Sequence, residues 1–426
     1  MVWKMRIDEL PLEVFEHVLS YLNGIDILKI SWCNHLLRSI ATNEQIWIKC
    51  ALREYNIDLR NDASKDTSQN AHICTSARVF TVKILMPIGT CLQNMWQLYN
   101  FEHFGGLAKL LYHHWSIYLV NFDPPEHPHT ENRLQPEILF RMYLNDQLQI
   151  LSETFIANQK NSIVPQSLLE TIDNGQTLKL YCSPVEPIHA EPLIELFQKR
   201  LGVHFIEMAA ERMDCRVRLL NSGEQLFKPL ETNSAIPAFC PLRPGLFKGT
   251  YGSHGIEIIN VMYENEMKIL TGRKVTGDPN IPFGKISFQA SLDKPMFLTK
   301  EEQRSLDLIK SYMAENNTCD DDLTQNKPSL NPFAPPYNCR IEPSLDRDIF
   351  QTEMWRFQAT CQVAFHGYDN PRFIDGNLIV FSENTFGVIY IDLQCLAVFD
   401  RIEEELSKTH FSDVMQMSPQ HVLGKY

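Results

Sequence analysis

The sequence predicts an α+β protein: a small N-terminal module of three helices, followed by a large β-barrel-like domain with a few helices of its own. Apolar residues recur at helical spacing between Val14 and Ile40. From about Ala77 onward, β-branched and aromatic runs alternate with Gly and Pro turns, the pattern of many short strands. The chain has 426 residues, ample for a small module plus one large domain or two medium ones.

The helical module begins at Pro11, a residue suited to a first helical turn because its missing N–H would have no intrahelical partner there. Val14, Val18 and Leu22 recur every four residues while Phe15 and Leu19 fill the neighbouring row, giving one broad apolar stripe. Asn23-Gly24 ends this helix, and Asp26 is placed to cap a second through Ile27, Leu28 and Ile30. A third follows with Leu36, Leu37 and Ile40, ahead of Ile46 and Trp47. Such a unit is near the lower limit of roughly 40 residues for folding unaided. Too many of its apolar side chains face one way for internal burial, so a partner groove is expected to cover them.

The order Leu10-Pro11-Leu12-Glu13, Ser20-Tyr21-Leu22 and Ile46-Trp47-Ile48-Lys49 closely resembles an F-box. An ordinary helical hairpin needs the apolar period but not this order. The resemblance spans residues 5–57 and implies a docking module for the Skp adaptor, and through it cullin and RING subunits. It assigns adaptor contact to Leu10, Pro11, Val14, Val18, Leu22, Ile30 and Trp47.

Formal net charge is −13, from 39 Lys+Arg against 52 Asp+Glu. That balance argues against a nucleic-acid or anionic-membrane surface, where a basic footprint is expected. The eleven cysteines are scattered without a CxxC pair, no run is long and apolar enough to span a membrane, and the first residues lack an apolar signal core. Reduced thiols in the cytoplasm and/or nucleus are expected.

Residues 58–76 read as a polar tether and 77–426 as the β-rich domain, with a mobile Pro-rich linker at about 316–343 inside it. Val79 to Leu85 is helical in pattern. Leu110-Leu111-Tyr112, Trp115 to Val120 and Ile138 to Leu144 read as strands, as do Ile256 to Val261, Met267 to Leu270, Lys285 to Ala290, Phe357 to Phe365, Gly376 to Phe381 and Phe386 to Leu393. Helices are expected within Glu191 to Arg218, over Lys300 to Met313 and near Glu403.

Three blocks of this region resemble the substrate domain of the F-box only protein 31 family: Pro244 to Glu257 (PGLFKGTYGSHGIE), Lys274 to Gly284 (KVTGDPNIPFG), and Gly387 to Leu393 (GVIYIDL). Weaker echoes run from Trp96 through Gly105-Gly106-Leu107 to His129, and the likeness is patchy between Asn145 and Phe239. The family implies a non-catalytic substrate receptor of an SCF (Skp-cullin-F-box) ubiquitin ligase. Its β-barrel-like domain captures C-terminal ends, D-type cyclins among them, and presents them for ubiquitination and proteasomal degradation. Human-like members carry a Cys/His cluster resembling a zinc site. Here Cys182 and His189 stand nearly alone in the matching region, so no metal and no cofactor is expected.

Within these blocks, Lys248, Thr250, Tyr251, Ser253, His254, Lys274, Asp278 and Asn280 are the expected substrate-binding residues. The Gly249 to Gly255 run precedes a strand and lacks the Lys-Ser/Thr ending of a phosphate loop. Asp278 in Gly-Asp-Pro-Asn serves either as a turn cap or as a substrate contact. As a contact it disfavours a terminal carboxylate by up to roughly 4 kcal/mol at 4 Å, unless Lys248 or Lys274 offsets its charge. A neutral, modified C-terminus is therefore favoured. His113-His114, adjacent on a strand, point to opposite faces, and His127-Pro128-His129 lacks partners at metal-ligand spacing. The rival readings are a non-degradative F-box scaffold, a small hydrolase hidden in the β-domain, and a reader of phosphorylated internal motifs, which would require clustered Arg or Lys in the pocket.

Overall fold

A computed structural model describes residues 11–60, 73–124, 132–155, 168–181, 206–231, 239–251, 254–264, 268–315, 331–341 and 354–408. The N-terminal module holds four helices where the sequence suggested three: α1 (Leu12–Leu19), α2 (Gly24–Ser31), α3 (His35–Ala41) and α4 (Glu44–Tyr55). The fourth arises because Asn43 caps Glu44 onward with its side chain, and Asn56 closes that helix in the left-handed conformation. Asn23, not Asp26, caps α2: its carboxamide accepts the Asp26 N–H, while Asp26 pairs with Lys29.

The module does not have a core to itself. Phe15, Leu19, Ile27, Ile46 and Trp47 bury into one cluster with Phe80 and Ile84 of the following helical stretch and with Trp96, Phe140 and Phe227 of the first sheet. The helices thus spend one face on the β-domain and leave another uncovered.

That first sheet has eight strands in the order β5-β4-β3-β2-β1-β8-β7-β6. They are β1 (Met95–Leu98), β2 (Leu107–His113), β3 (Ser116–Asp123), β4 (Gln135–Leu144), β5 (Ile150–Thr154), β6 (Leu168–Ile172), β7 (Thr177–Tyr181) and β8 (Glu224–Pro229). Helix α5 (Ile206–Asn221) precedes β8 and holds Asp123 with Arg212 and Arg216.

The next eight strands form a closed antiparallel barrel in chain order: β9 (Gly245–Thr250), β10 (Ile256–Glu264), β11 (Ile269–Lys274), β12 (Ile286–Pro295), β13 (Trp355–Phe365), β14 (Asp369–Val380), β15 (Thr385–Tyr390) and β16 (Cys395–Arg401). Each pairs with its successor and β16 returns to β9, so no edge is left open. Helix α6 (Leu306–Glu315) lies between β12 and β13, and α7 (Glu403–Lys408) follows the last strand. Among the described residues, no helix is long and apolar enough to cross a membrane.

Phe247, Phe288, Phe357, Phe386 and Phe399 fill the barrel's middle. Gly249 makes room for this plug, since a Cβ there would stand 2.1 Å from the Phe399 ring. The sheet and barrel are locked at one corner. Gly105, at φ +59°, bridges to Thr276, and a Cβ on it would stand 2.7 Å from both Phe283 and the Val275 carbonyl. The two glycine-bearing blocks, Gly105-Gly106 and Lys274 to Gly284, are therefore two halves of one joint.

The expected linker divides. Residues 331–341 pack against the barrel, with Phe333 and Ala334 buried and Ala334 N–H donating to Gln303. The rest of that linker, and most of the tether, lies outside the described residues.

Candidate functional site

The aromatic plug stops short of one barrel end, and the space above it is a cup of about 550 Å³. Its wall comes from the ends of β9, β11, β13 and β15 and the beginnings of β12, β14 and β16. This size suits a small molecule or the last residues of a peptide.

Six of the eight expected substrate residues line the cup: Thr250, Tyr251, His254, Lys274, Asp278 and Asn280. Ser253 lies outside the described residues. Lys248 does not belong to the site. It sits on the face of β9 opposite Phe247 and Gly249, where its ammonium is buried against Glu405 at 2.6 Å and the Asn132 carbonyl at 2.6 Å. Strand alternation separates it from the interior.

Lys274 is the centre of the floor. It is almost fully buried, 2.6 Å from Asp278 Oδ2, 2.5 Å from Glu257 Oε2, and over the Tyr251 ring at 4.5 Å. Asp278 performs both roles considered for it. Its Oδ1 accepts the Asn280 and Ile281 N–H groups and caps the turn, while its Oδ2 holds Lys274. Burial alone would raise the Asp278 carboxyl, but the Lys274 ammonium holds it well below the ordinary range. Burial would likewise lower Lys274, and the two carboxyls keep it raised instead. Glu257 goes the other way: burial, reinforced by Asp278, pushes it well above its ordinary value against the pull of Lys274. With Glu257 shifted toward its neutral form, Lys274 and Asp278 largely balance each other on the floor.

Beside this trio runs a hydroxyl chain, Tyr251 to Ser287 at 2.6 Å and Ser287 to Tyr390 at 3.1 Å. Burial raises both tyrosines, so they remain neutral donors and acceptors. His254 Nδ1 stands 3.8 Å from Asp278, and burial lowers its pKa despite that carboxylate. Asn280 ties the turn to β13 through the Ala364 carbonyl. The upper wall is apolar, with Val363, Phe365, Leu393, Leu396 and Ala397, and Arg340 and Arg372 extend exposed at the mouth. The cup thus offers a neutral polar floor, an apolar collar and a basic rim.

Sequence reasoning missed Glu257, Ser287, Tyr390, Arg340 and Arg372. Glu257 carried a signal, a lone charge inside the apolar run Ile256 to Val261. Ser287 and Tyr390 carried none, because only the barrel register brings them together.

The adaptor-binding residues divide similarly. Pro11, Val14 and Val18 are exposed on α1, the two valines at 45% and 43%. Leu12, Tyr21, Ile25, Trp32 and Leu36 extend the same exposed apolar set. Leu22 and Ile30 are half-buried against the helical core. Trp47 is a correction. It is fully buried and its indole N–H donates to the Ala41 carbonyl at 2.7 Å, so it holds the module together from inside. Leu10 lies outside the described residues.

The expected orientation of His113 and His114 also fails. His114 leaves the strand at φ +42°, and the two rings meet edge to face at 4.0 Å. No cluster of three or more potential metal ligands occurs among the described residues. His127, His129, Cys182 and His189 lie outside them.

Residues 7–49 match the F-box domain family, and residues 227–405 match the family described as the cyclin D1 binding domain. The second match runs from within β8 to within α7 and includes the whole barrel. The chain is 22% identical to F-box only protein 31-A of Xenopus laevis, over 94% of this chain and 85% of that protein. It is also 22% identical to F-box only protein 31 of Homo sapiens (93% and 83%) and of Rattus norvegicus (93% and 84%).

Proposed function

We propose that this chain, a member of the F-box only protein 31 family and as such an F-box substrate receptor of an SCF ubiquitin ligase, captures the C-terminal ends of its clients in the barrel cup. The exposed apolar face of α1 to α3 engages the Skp adaptor, and cullin and RING subunits follow through it. The barrel supplies no chemistry in this reading. It raises the effective concentration of a client lysine near the ubiquitin-conjugating enzyme, and ubiquitination then leads to proteasomal degradation. D-type cyclins fit as clients, given the match to a cyclin D1 binding domain. The setting is the cytoplasm and/or nucleus.

The observation that carries C-terminal capture is the charge-balanced floor. A chain end is narrow enough to reach the bottom of the cup. There Lys274 is already neutralised by Asp278, so no spare cation awaits a carboxylate. Asp278's repulsion of an acid end is largely offset by Lys274, which leaves desolvation to decide. Burying an ion costs several kcal/mol, against roughly 1–3 for an amide left without partners and less for one that finds them. A neutral, modified end, with N–H donors for Asp278 and the tyrosine hydroxyls, is therefore preferred.

Fluorescence anisotropy with peptides identical but for a terminal amide or acid tests this. The amide should bind about 10- to 100-fold more tightly, and equal affinities would remove the argument.

One observation favours a second element of recognition. Arg340 and Arg372 at the mouth suit an acidic or phosphorylated residue a few positions before the end. Arg372→Glu should weaken acidic peptides while sparing neutral ones. A client whose level is unchanged by proteasome inhibition would favour the non-degradative scaffold.

A further inference from the structure

On the flank of the barrel, away from the cup, Arg356 of β13 is a fully buried arginine without a carboxylate partner among the described residues. All three guanidinium nitrogens are shielded from solvent and make no hydrogen bond among the described residues. Its one aromatic neighbour of note is Phe333, whose ring lies 5.6 Å away. A buried cation left in this way is unfavourable, and such groups ordinarily mark an ion or water that completes them.

The surroundings hold room for one small occupant. A separate cavity of about 10 Å³ is bounded by Arg356, Met296, Leu298, Gln303, Asn331 and Met354. That is the scale at which a single water-sized body fits. The carbonyls beside it are already engaged: Leu298 accepts from Gln303 and Asn331, and Pro332 accepts from Gln303. A water there would find few acceptors and would leave the charge uncompensated. An anion needs only donors.

We infer that the pocket beside Arg356 is a buried site for a small monovalent anion of the halide class, held by the guanidinium. Burial lowers the Arg356 pKa to about 9, so the side chain still carries its charge at neutral pH. The anion would fasten the Arg356 guanidinium of β13 to the corner around Leu298, where the backbones already meet through the Met296 N–H and the Arg356 carbonyl at 2.8 Å, and to the strap at Asn331 to Ala334. That strap continues to Arg340 and Ile341 in the cup wall.

The test is thermal unfolding of the full chain in sodium chloride and sodium gluconate at equal ionic strength, with a bromide-soaked crystal read by anomalous scattering. The site predicts a saturable rise in Tm of about 2–4 °C in chloride, absent in Arg356→Met, and a bromide peak against the guanidinium. The same Tm in both salts together with no bromide peak at Arg356 would overturn it, as would a chloride effect retained in Arg356→Met. Should Arg356→Met fail to fold, the bromide map of the unaltered protein decides alone.

Discussion

Replacing Lys274 with methionine removes the one cation from between Glu257 and Asp278 while keeping most of the side chain's volume. Burial pushes the Glu257 carboxyl well above its ordinary value. Asp278, whose carboxyl is kept low against burial chiefly by Lys274, with smaller help from Glu257 and His254, is then driven toward its protonated form. Neutralising a carboxyl with an ordinary value of 3.8 costs about 1.4 kcal/mol per pH unit above that value. The penalty is therefore about 4 kcal/mol at pH 7 and under about 2 kcal/mol at pH 5. The sign follows from linkage. In the unaltered protein the depressed Asp278 contributes stability above its ordinary pKa that is lost as pH falls. In Lys274→Met the raised Asp278 is best tolerated at low pH and destabilises as pH rises. Urea unfolding of both proteins at pH 5 and pH 7 measures the difference. A deficit below about 1 kcal/mol at pH 7, or one independent of pH, would refute the ion-trio argument.

Other outcomes follow from the same geometry. Gly249→Ala forces a methyl into the Phe399 ring and should lower stability by about 1–3 kcal/mol in chemical denaturation. Trp47→Ala should cost about 3–5 kcal/mol through loss of the module's core. Val14→Glu with Val18→Glu, on the exposed face of α1, should leave Tm nearly unchanged. His254, its pKa lowered by burial, is neutral at pH 7 and gains charge only below its ordinary 6.5. Acid-ended peptides should therefore bind more tightly at pH 5.5 than at 7.5, with amide-ended ones little changed. A pH effect that persists in His254→Gln would assign it elsewhere.

The division between what the sequence revealed and what it concealed has physical reasons. Local features were legible: the apolar period of α1, the strands β10 to β15, and the turn at Asp278 all rest on neighbours within a few residues. Closure of the barrel was not, since it depends on β16 meeting β9 across some 150 residues. The eight-stranded first sheet was less visible still, because β8 returns to β1 from beyond α5. Lys248 and Lys274 looked equivalent in sequence, and only strand alternation sent one outward to Glu405 and the other inward to Asp278. The F-box resemblance assigns Trp47 to the adaptor contact by its place in the motif, and sequence position alone does not reveal its burial. Its burial and its hydrogen bond to the Ala41 carbonyl show a tryptophan committed to internal packing, whereas Trp32 is 72% exposed.

The central claim is that one face binds the adaptor and a separate cup selects the client. Co-purification from lysate by the unaltered chain, by Val14→Glu/Val18→Glu, and by Leu393→Glu at the cup's exposed rim tests it most directly. The α1 variant should lose Skp and cullin while keeping clients, and the rim variant should do the reverse. Loss of both sets by either folded variant, or retention of Skp and cullin by the α1 variant, would contradict the separation of the two surfaces.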